Sequence, residues 1–230
     1  MSDHTERLYH IFIESFLPLL KAGVAFTIPL TLVSFAIGLV IAFVTALVRI
    51  SPVGPLRGIA RFYVWIFRGT PLIVQLFIIF YGLPSIGLTL PPFTAGVIGF
   101  SLSVGAYGSE IIRAAILSIS QGQWEAAYSI GMTKRQALRR IIVPQALRVS
   151  VPPLSNSFIS LIKDTSLAAS ITVTEMFQKA QEITARYYEP MLLYCEVALI
   201  YLVFSTVLSH FQNRLEHYFD SKSAKKGSLL

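Results

Sequence analysis

Apolar residues along the chain gather in long blocks, and the charges collect in the gaps between them. Ala22 to Val48 is uncharged and would run about 40 Å as a helix at about 1.5 Å per residue, enough to cross a hydrocarbon core of about 30 Å with tilt. Pro29 inside it predicts a kink. The next apolar region, Ile59 to Leu83, is interrupted by Phe-Arg-Gly-Thr-Pro, where Thr70 is placed to N-cap a helix whose first residue is Pro71. Thr70 to Leu83 alone reaches only about 21 Å. Either the break lies inside the membrane, or an interfacial segment, Ile59 to Phe67, leads into it.

Phe93 to Ser109 is a third block, carrying on through Glu110 and Arg113 towards Ile119. Ile141 to Ile162 is a fourth, short and irregular, because Pro144, Pro152 and Pro153 lie within it, and it stops at Lys163 and Asp164. The prolines either break this helix for a pathway or shape a kink. Thr165 to Glu189 is polar, with amphipathic spacing from Val173 to Ile183, and Met191 to Phe211 is a fifth block. The pattern predicts an all-α polytopic membrane protein of about five spans, with segments 1–21, 22–212 and 213–230 as N-terminal region, membrane domain and basic tail.

Composition strengthens this reading: 54% of residues are hydrophobic, 13% are charged and the mean hydropathy is +0.64. The net charge of +7 is no nucleic-acid footprint, since the bases cluster at the ends of apolar blocks and the nucleic-acid modules are missing. Cys195 is the single cysteine, so disulfide frameworks and cysteine-metal clusters within the chain are excluded, and no metal site is expected. Asp3, Glu6 and Glu14 precede the first block without a basic leader or a cleavage site, so the first span is expected to be retained.

Basic residues also set the expected orientation. With the N-terminus outside, the inner side receives Arg49, Arg57, Arg61, Arg68, Arg113, Lys134, Arg135, Arg139, Arg140, Arg148, Arg214, Lys222, Lys225 and Lys226, 14 of the 19 Lys and Arg residues. Arg7, Lys21, Lys163, Lys179 and Arg186 stay outside. The expectation is N-terminus outside, C-terminus and the segment 120–144 in the cytoplasm.

That segment has a structure of its own. Ser120 with Gln123, and Thr133 with Gln136, are spaced as capping boxes, and Gly131 between them suits a left-handed helix end. Two short helices around a glycine elbow follow. On the first, Ala126 and Ala127 leave a side-chain-poor surface beside Glu125, with Trp124 and Tyr128 as an apolar ridge. On the second, Lys134, Arg135, Arg139 and Arg140 suit a membrane surface, while Leu138, Ile141 and Ile142 turn inward. From these residues alone the segment is either a docking knob or an amphipathic helix lying among lipid headgroups.

The run EAAYSIGMTKRQALRRIIVP resembles the EAA loop of bacterial ATP-binding-cassette importer permeases: Glu125, Ala126, Ala127, Gly131, Ile141 and Pro144 fall on the pattern, and Val143 stands where leucine is usual. Phe67 to Pro84, Gly105 to Ala127 and Asn156 to Phe177 extend the resemblance to the polar-amino-acid branch, with wording closest to cystine-type permeases. It implies a MetI-like permease fold, a coupling helix that seats in an ATPase subunit, and contacts through Glu125, Ala126, Ala127, Gly131 and Pro144. The implied partners are ATPase subunits that bind ATP and Mg, an extracytoplasmic solute-binding protein, a second permease copy or a paralogue, and membrane lipid. The implied cargo is L-cystine or another polar amino acid.

The chain has no match to the P-loop pattern, so no cofactor of its own is expected and ATP must be hydrolysed elsewhere. An ion-coupled secondary transporter is the alternative, yet only Glu110 and Glu196 among the acids lie in or near apolar blocks and no internal repeat is evident. A catalytic constellation is missing too, since the four histidines lie near the termini or the end of the last span. Glu110 and Arg113 are spaced to pair. Gln75, Ser103, Tyr107, Asn156 and Ser160 either meet substrate or bond neighbouring helices, and Lys163 and Asp164 either bind a zwitterion or pair with each other.

Overall fold

The computed structural model describes the backbone of residues 3–227 and the side chains of residues 4–214; Lys222, Lys225 and Lys226 of the expected basic tail lie outside the described side chains. Ten α-helices follow one another: α1 (Asp3–Ala22), α2 (Ile28–Ile50), α3 (Gly54–Gly69), α4 (Leu72–Phe77), α5 (Pro92–Ser118), α6 (Gln121–Ser129), α7 (Lys134–Ala137), α8 (Val143–Asp164), α9 (Met176–Tyr187) and α10 (Pro190–Gly227). No strand occurs among the described residues.

Proline chemistry explains three departures from regular helix. Wide π turns at Gly23–Thr27, Ile78–Gly82 and Leu138–Ile142 come shortly before Pro29, Pro84 and Pro144. A proline ring clashes with the carbonyl four residues earlier and cannot bond to it. That carbonyl belongs to Ala25, Phe80 or Arg140, each inside its π turn. In all three turns the following N–H reaches back five residues instead: Ile28 to Gly23, Leu83 to Ile78 and Val143 to Leu138. The kink expected at Pro29 therefore takes the form of a π turn, and helix is continuous from Asp3 to Ile50 rather than starting near Ala22.

Pro152 and Pro153 do not break α8, which runs through both to Asp164. The helix after the Gly-Thr-Pro interruption starts at Leu72 with Pro71 as its N-cap, one residue later than the sequence suggests. Thr70 does not cap it: its hydroxyl and carbonyl oxygens accept from Gln75 Nε2 at 2.9 and 3.1 Å. The chain bends by 107° at this break.

His4–Ile50, Pro92–Ser118 and Pro190–Arg214 are long and apolar enough to cross a membrane, and the bent pair Gly54–Gly69 with Leu72–Ile86 makes up to four. α8 is the fourth expected span; its 22 residues are long enough to cross, but Arg148, Lys163, Asp164 and several hydroxyls leave it less apolar than the three long spans.

The chain divides into two compact units, and α2, α5, α8 and α10 each supply residues to both. In the unit of residues 1–36, 70–101 and 158–209, α1, α9 and α10 close on Leu19, Met176, Ala180, Val197 and Ile200. Glu175 caps α9 from a fully buried position, accepting from Gln178 N at 2.7 Å and Tyr201 Oη at 2.8 Å. Burial pushes its carboxyl above the ordinary range. A Cβ on Gly99 would stand 2.6 Å from Leu76, so glycine is what allows α4 to approach α5.

The other unit, residues 37–69, 102–157 and 210–230, has its own core of Ala42, Ala46, Ile112, Ala115, Ile116, Ile142 and Ala146. Tyr63 of α3 donates to Leu102 O of α5 at 2.6 Å, and a Cβ on Gly105 would meet that same hydroxyl at 2.6 Å. α2, α3 and α5 thus meet through small residues at close range.

Candidate functional site

The elbow at 120–144 forms as local chemistry dictates. Gly131 adopts φ +78°. Its N–H bonds to Tyr128 O at 2.9 Å and the next, from Met132, to Ala127 O at 3.1 Å, the two bonds of a Schellman end that use up orphan carbonyls of α6. Thr133 and Gln136 complete a capping box at the start of α7. The matching box at Ser120 is not made: Ser120 is the N-cap of α6 but its side chain caps nothing. Gln123 instead accepts from Gln145 of α8 at 3.1 Å, pinning α6 to the span that follows.

The faces of α6 are sorted. Glu125, Ala126, Tyr128, Ser129 and Ile130 are exposed, Ile130 by 72%. Ala127 departs from the expected contact surface, because it is only 3% exposed and faces its own chain. Trp124, expected on an outward ridge, packs against the core of Ile112, Ile142 and their neighbours, while Tyr128 stays 45% exposed. On the second limb Leu138, Ile141 and Ile142 turn into that core, and Lys134, Arg135, Arg139 and Arg140 are exposed. Pro144 is exposed at the start of α8. The result is a small, rigid knob with an outer surface of one carboxylate, one methyl and a few apolar groups.

The expected pathway residues are not brought to one place within either unit. Gln75, Ser160, Lys163 and Asp164 belong to the first; Gln75 is buried and donates to Thr70, whereas the other three are exposed. Lys163 and Asp164 do not pair: among the described residues no ion pair joins them, and both point outward as successive residues at the end of α8. Ser103, Tyr107 and Asn156 belong to the second unit. Ser103 is buried, and Asn156 accepts from Gln212 of α10 at 3.0 Å, a helix-to-helix bond. Tyr107 lies under Arg68, the guanidinium carbon 5.5 Å from the ring centre.

Glu110 and Arg113 pair at 3.0 Å as their spacing implies, but the sequence reading missed the rest of the cluster. Arg49 Nη1 at the end of α2 lies 2.8 Å from Glu110 Oε1, and Arg68 Nη1 at the end of α3 lies 3.1 Å from it. The Arg49 contact is a charge contact out of line for a hydrogen bond. One carboxylate of α5 thus ties the ends of α2 and α3. The signal in the sequence is that an acid in a long apolar block draws cations, and Arg49 and Arg68 are basic residues at the ends of neighbouring blocks.

This architecture, several apolar helices with a cap-stabilised elbow between two of them, is that of an importer permease. The chain belongs to the family described as binding-protein-dependent transport system inner membrane components, whose profile matches residues 34–221. It is thus an inner-membrane transport subunit, and the partners the family implies are a binding protein and the ATPase of an ATP-binding-cassette importer. Among individual relatives, it is 56% identical to the L-cystine transport system permease protein TcyB of Bacillus subtilis over 213 residues, covering 92% of this chain and 91% of that one. The glutamine transport system permease protein GlnP of Escherichia coli K12 is 37% identical, with 87% and 92% covered. A crystal structure of an amino acid ABC transporter with histidines matches with a TM-score of 0.80 at 33% identity, covering 94% of this chain and 97% of that one. The inward-facing MetNI methionine ABC transporter shares the fold, with a TM-score of 0.69 at 18% identity and 95% and 99% covered.

Proposed function

We propose that this permease carries L-cystine, received from an extracytoplasmic binding protein, and that the exposed face of α6 is its contact with the ATPase. The observation that carries the coupling half is the elbow: Gly131, the capping box and Trp124 hold α6 rigidly, yet Glu125, Ala126 and Ile130 remain exposed. A helix built only to lie among headgroups has no need of a fixed elbow, and its small-residue face would gain little from lipid. The cargo half is supported by the names of two relatives, TcyB and the L-cystine permease protein TcyL of the same organism at 39% identity. The partner ATPase binds ATP and Mg, and a second permease chain, identical or paralogous, completes the pathway.

The cargo is tested by uptake of labelled L-cystine in cells that make the whole system. Unlabelled cystine is expected to compete fully, with glutamine and basic amino acids competing weakly. If glutamine alone competes, the cargo is that of the glutamine branch and the cystine reading is wrong.

A further inference from the structure

The helix ends tied by Glu110 also enclose an open cavity of about 460 Å³, lined by Arg49, Arg61, Arg68, Trp65, Tyr107 and Glu110 among others. Its charges do not balance. Three guanidinium groups line it against a single carboxylate, and that carboxylate is already shared with Arg113 outside the lining. Arg61 makes no ion pair among the described residues, and the Nε atom of Arg49 is buried without a hydrogen-bond partner. An oxyanion is what this cavity lacks.

The helix beside the cavity says which one. On α3, Arg57, Arg61 and Arg68 form a stripe at helical spacing, and Leu56, Ile59, Phe62 and Trp65 line the adjoining exposed side, with Trp65 70% exposed and stacked on Phe62 at 5.9 Å. A basic stripe next to an aromatic and aliphatic one, at the ends of apolar spans, is the form of a helix lying at a membrane interface. We propose that the cavity holds the phosphate of an anionic phospholipid headgroup, the acyl chains running along Leu56, Ile59, Phe62 and Trp65.

Two other anions fit less well. The carboxylate of an amino acid arrives with an ammonium group, which would enter a net positive cavity whose one acceptor is taken. Free phosphate makes no use of the exposed apolar stripe. The same logic separates lipids: phosphatidylglycerol and cardiolipin bring net negative charge, whereas phosphatidylcholine brings its own cation.

The test is native mass spectrometry of the purified permease–ATPase complex after delipidation, titrated with cardiolipin, phosphatidylglycerol or phosphatidylcholine. The wild type is expected to retain an anionic lipid, and the double variant Arg61→Gln, Arg68→Gln to bind it at least tenfold more weakly. Arg139→Gln with Arg140→Gln removes the same charge from the exposed elbow and should leave retention unchanged. Should the double variant fail to assemble, Arg61→Gln alone gives the same comparison, since that side chain ties no helix. Equal retention by the Arg61 and Arg68 variants, equal retention of phosphatidylcholine, or displacement of the lipid by inorganic phosphate or L-cystine at matched concentration would each overturn the assignment.

Discussion

Ala126 and Ala127 stand side by side in the chain and face opposite environments: the first is exposed, the second 3% exposed against its own core. Aspartate separates their roles. At 127 it buries a carboxylate with no partner, which costs several kcal/mol, on the order of 3 or more, so Ala127→Asp should lower the melting temperature and the yield of assembled complex. Ala126→Asp should leave melting unchanged and abolish co-purification of the ATPase. Normal ATPase recovery with Ala126→Asp would contradict docking through this face. Gly131 was legible from its type and position, because only the left-handed conformation satisfies the end of α6 before α7 begins. The inward turn of Ala127 was not, since two adjacent alanines look alike until a neighbouring core, here Ile112, Ile142 and Ala146, defines inside. The Arg49–Glu110–Arg68 cluster was hidden for a related reason: its members lie on three helices far apart in sequence, and no local spacing joins them.

Element by element, prolines show how far local rules reach. Pro29, Pro84 and Pro144 each follow a π turn that contains the carbonyl their ring would strike, whereas Pro152 and Pro153 sit inside α8 with no such turn. The rule that proline disturbs a helix was correct at Pro29, and the form of the disturbance depended on whether the preceding turn could widen. The boundaries of α5 were legible to within a few residues, because Pro91 and Pro92 mark its start and the Ser120 N-cap of α6 follows its end; for α10 the start was legible, but the helix runs past Phe211 to Gly227. α1 was not legible as part of the first span: its Glu6, Arg7 and Glu14 break the apolar pattern, yet tertiary partners such as Glu189 for Arg7 and Tyr187 for Glu14 hold it helical. The direction in which these elements cross the membrane rests on the basic residues. An enzymatic reporter fused after Gly87 should be active only outside the cell, and one fused after Gln121 only in the cytoplasm. The opposite pattern would reverse the assigned sides and remove α6 from reach of an ATPase.

At the scale of the whole molecule, the chain has helices to cross a membrane and an elbow fit for docking, but no phosphate-binding loop to use ATP itself. The acids in and beside the apolar helices have structural partners: Glu110 is held by three arginines, Glu175 caps α9, and Glu196 accepts from Ser15 Oγ at 2.6 Å. In the proposed function, transport is driven through the partner ATPase. The most direct measurement is labelled L-cystine uptake into proteoliposomes holding the permease with its ATPase and binding protein, with ATP and ion gradients varied separately. Uptake should require ATP inside the compartment that α6 faces, persist when proton and sodium gradients are collapsed, and fall to background when ATP is removed at a held membrane potential. Uptake that continues without ATP and stops when an ion gradient is collapsed would contradict the account.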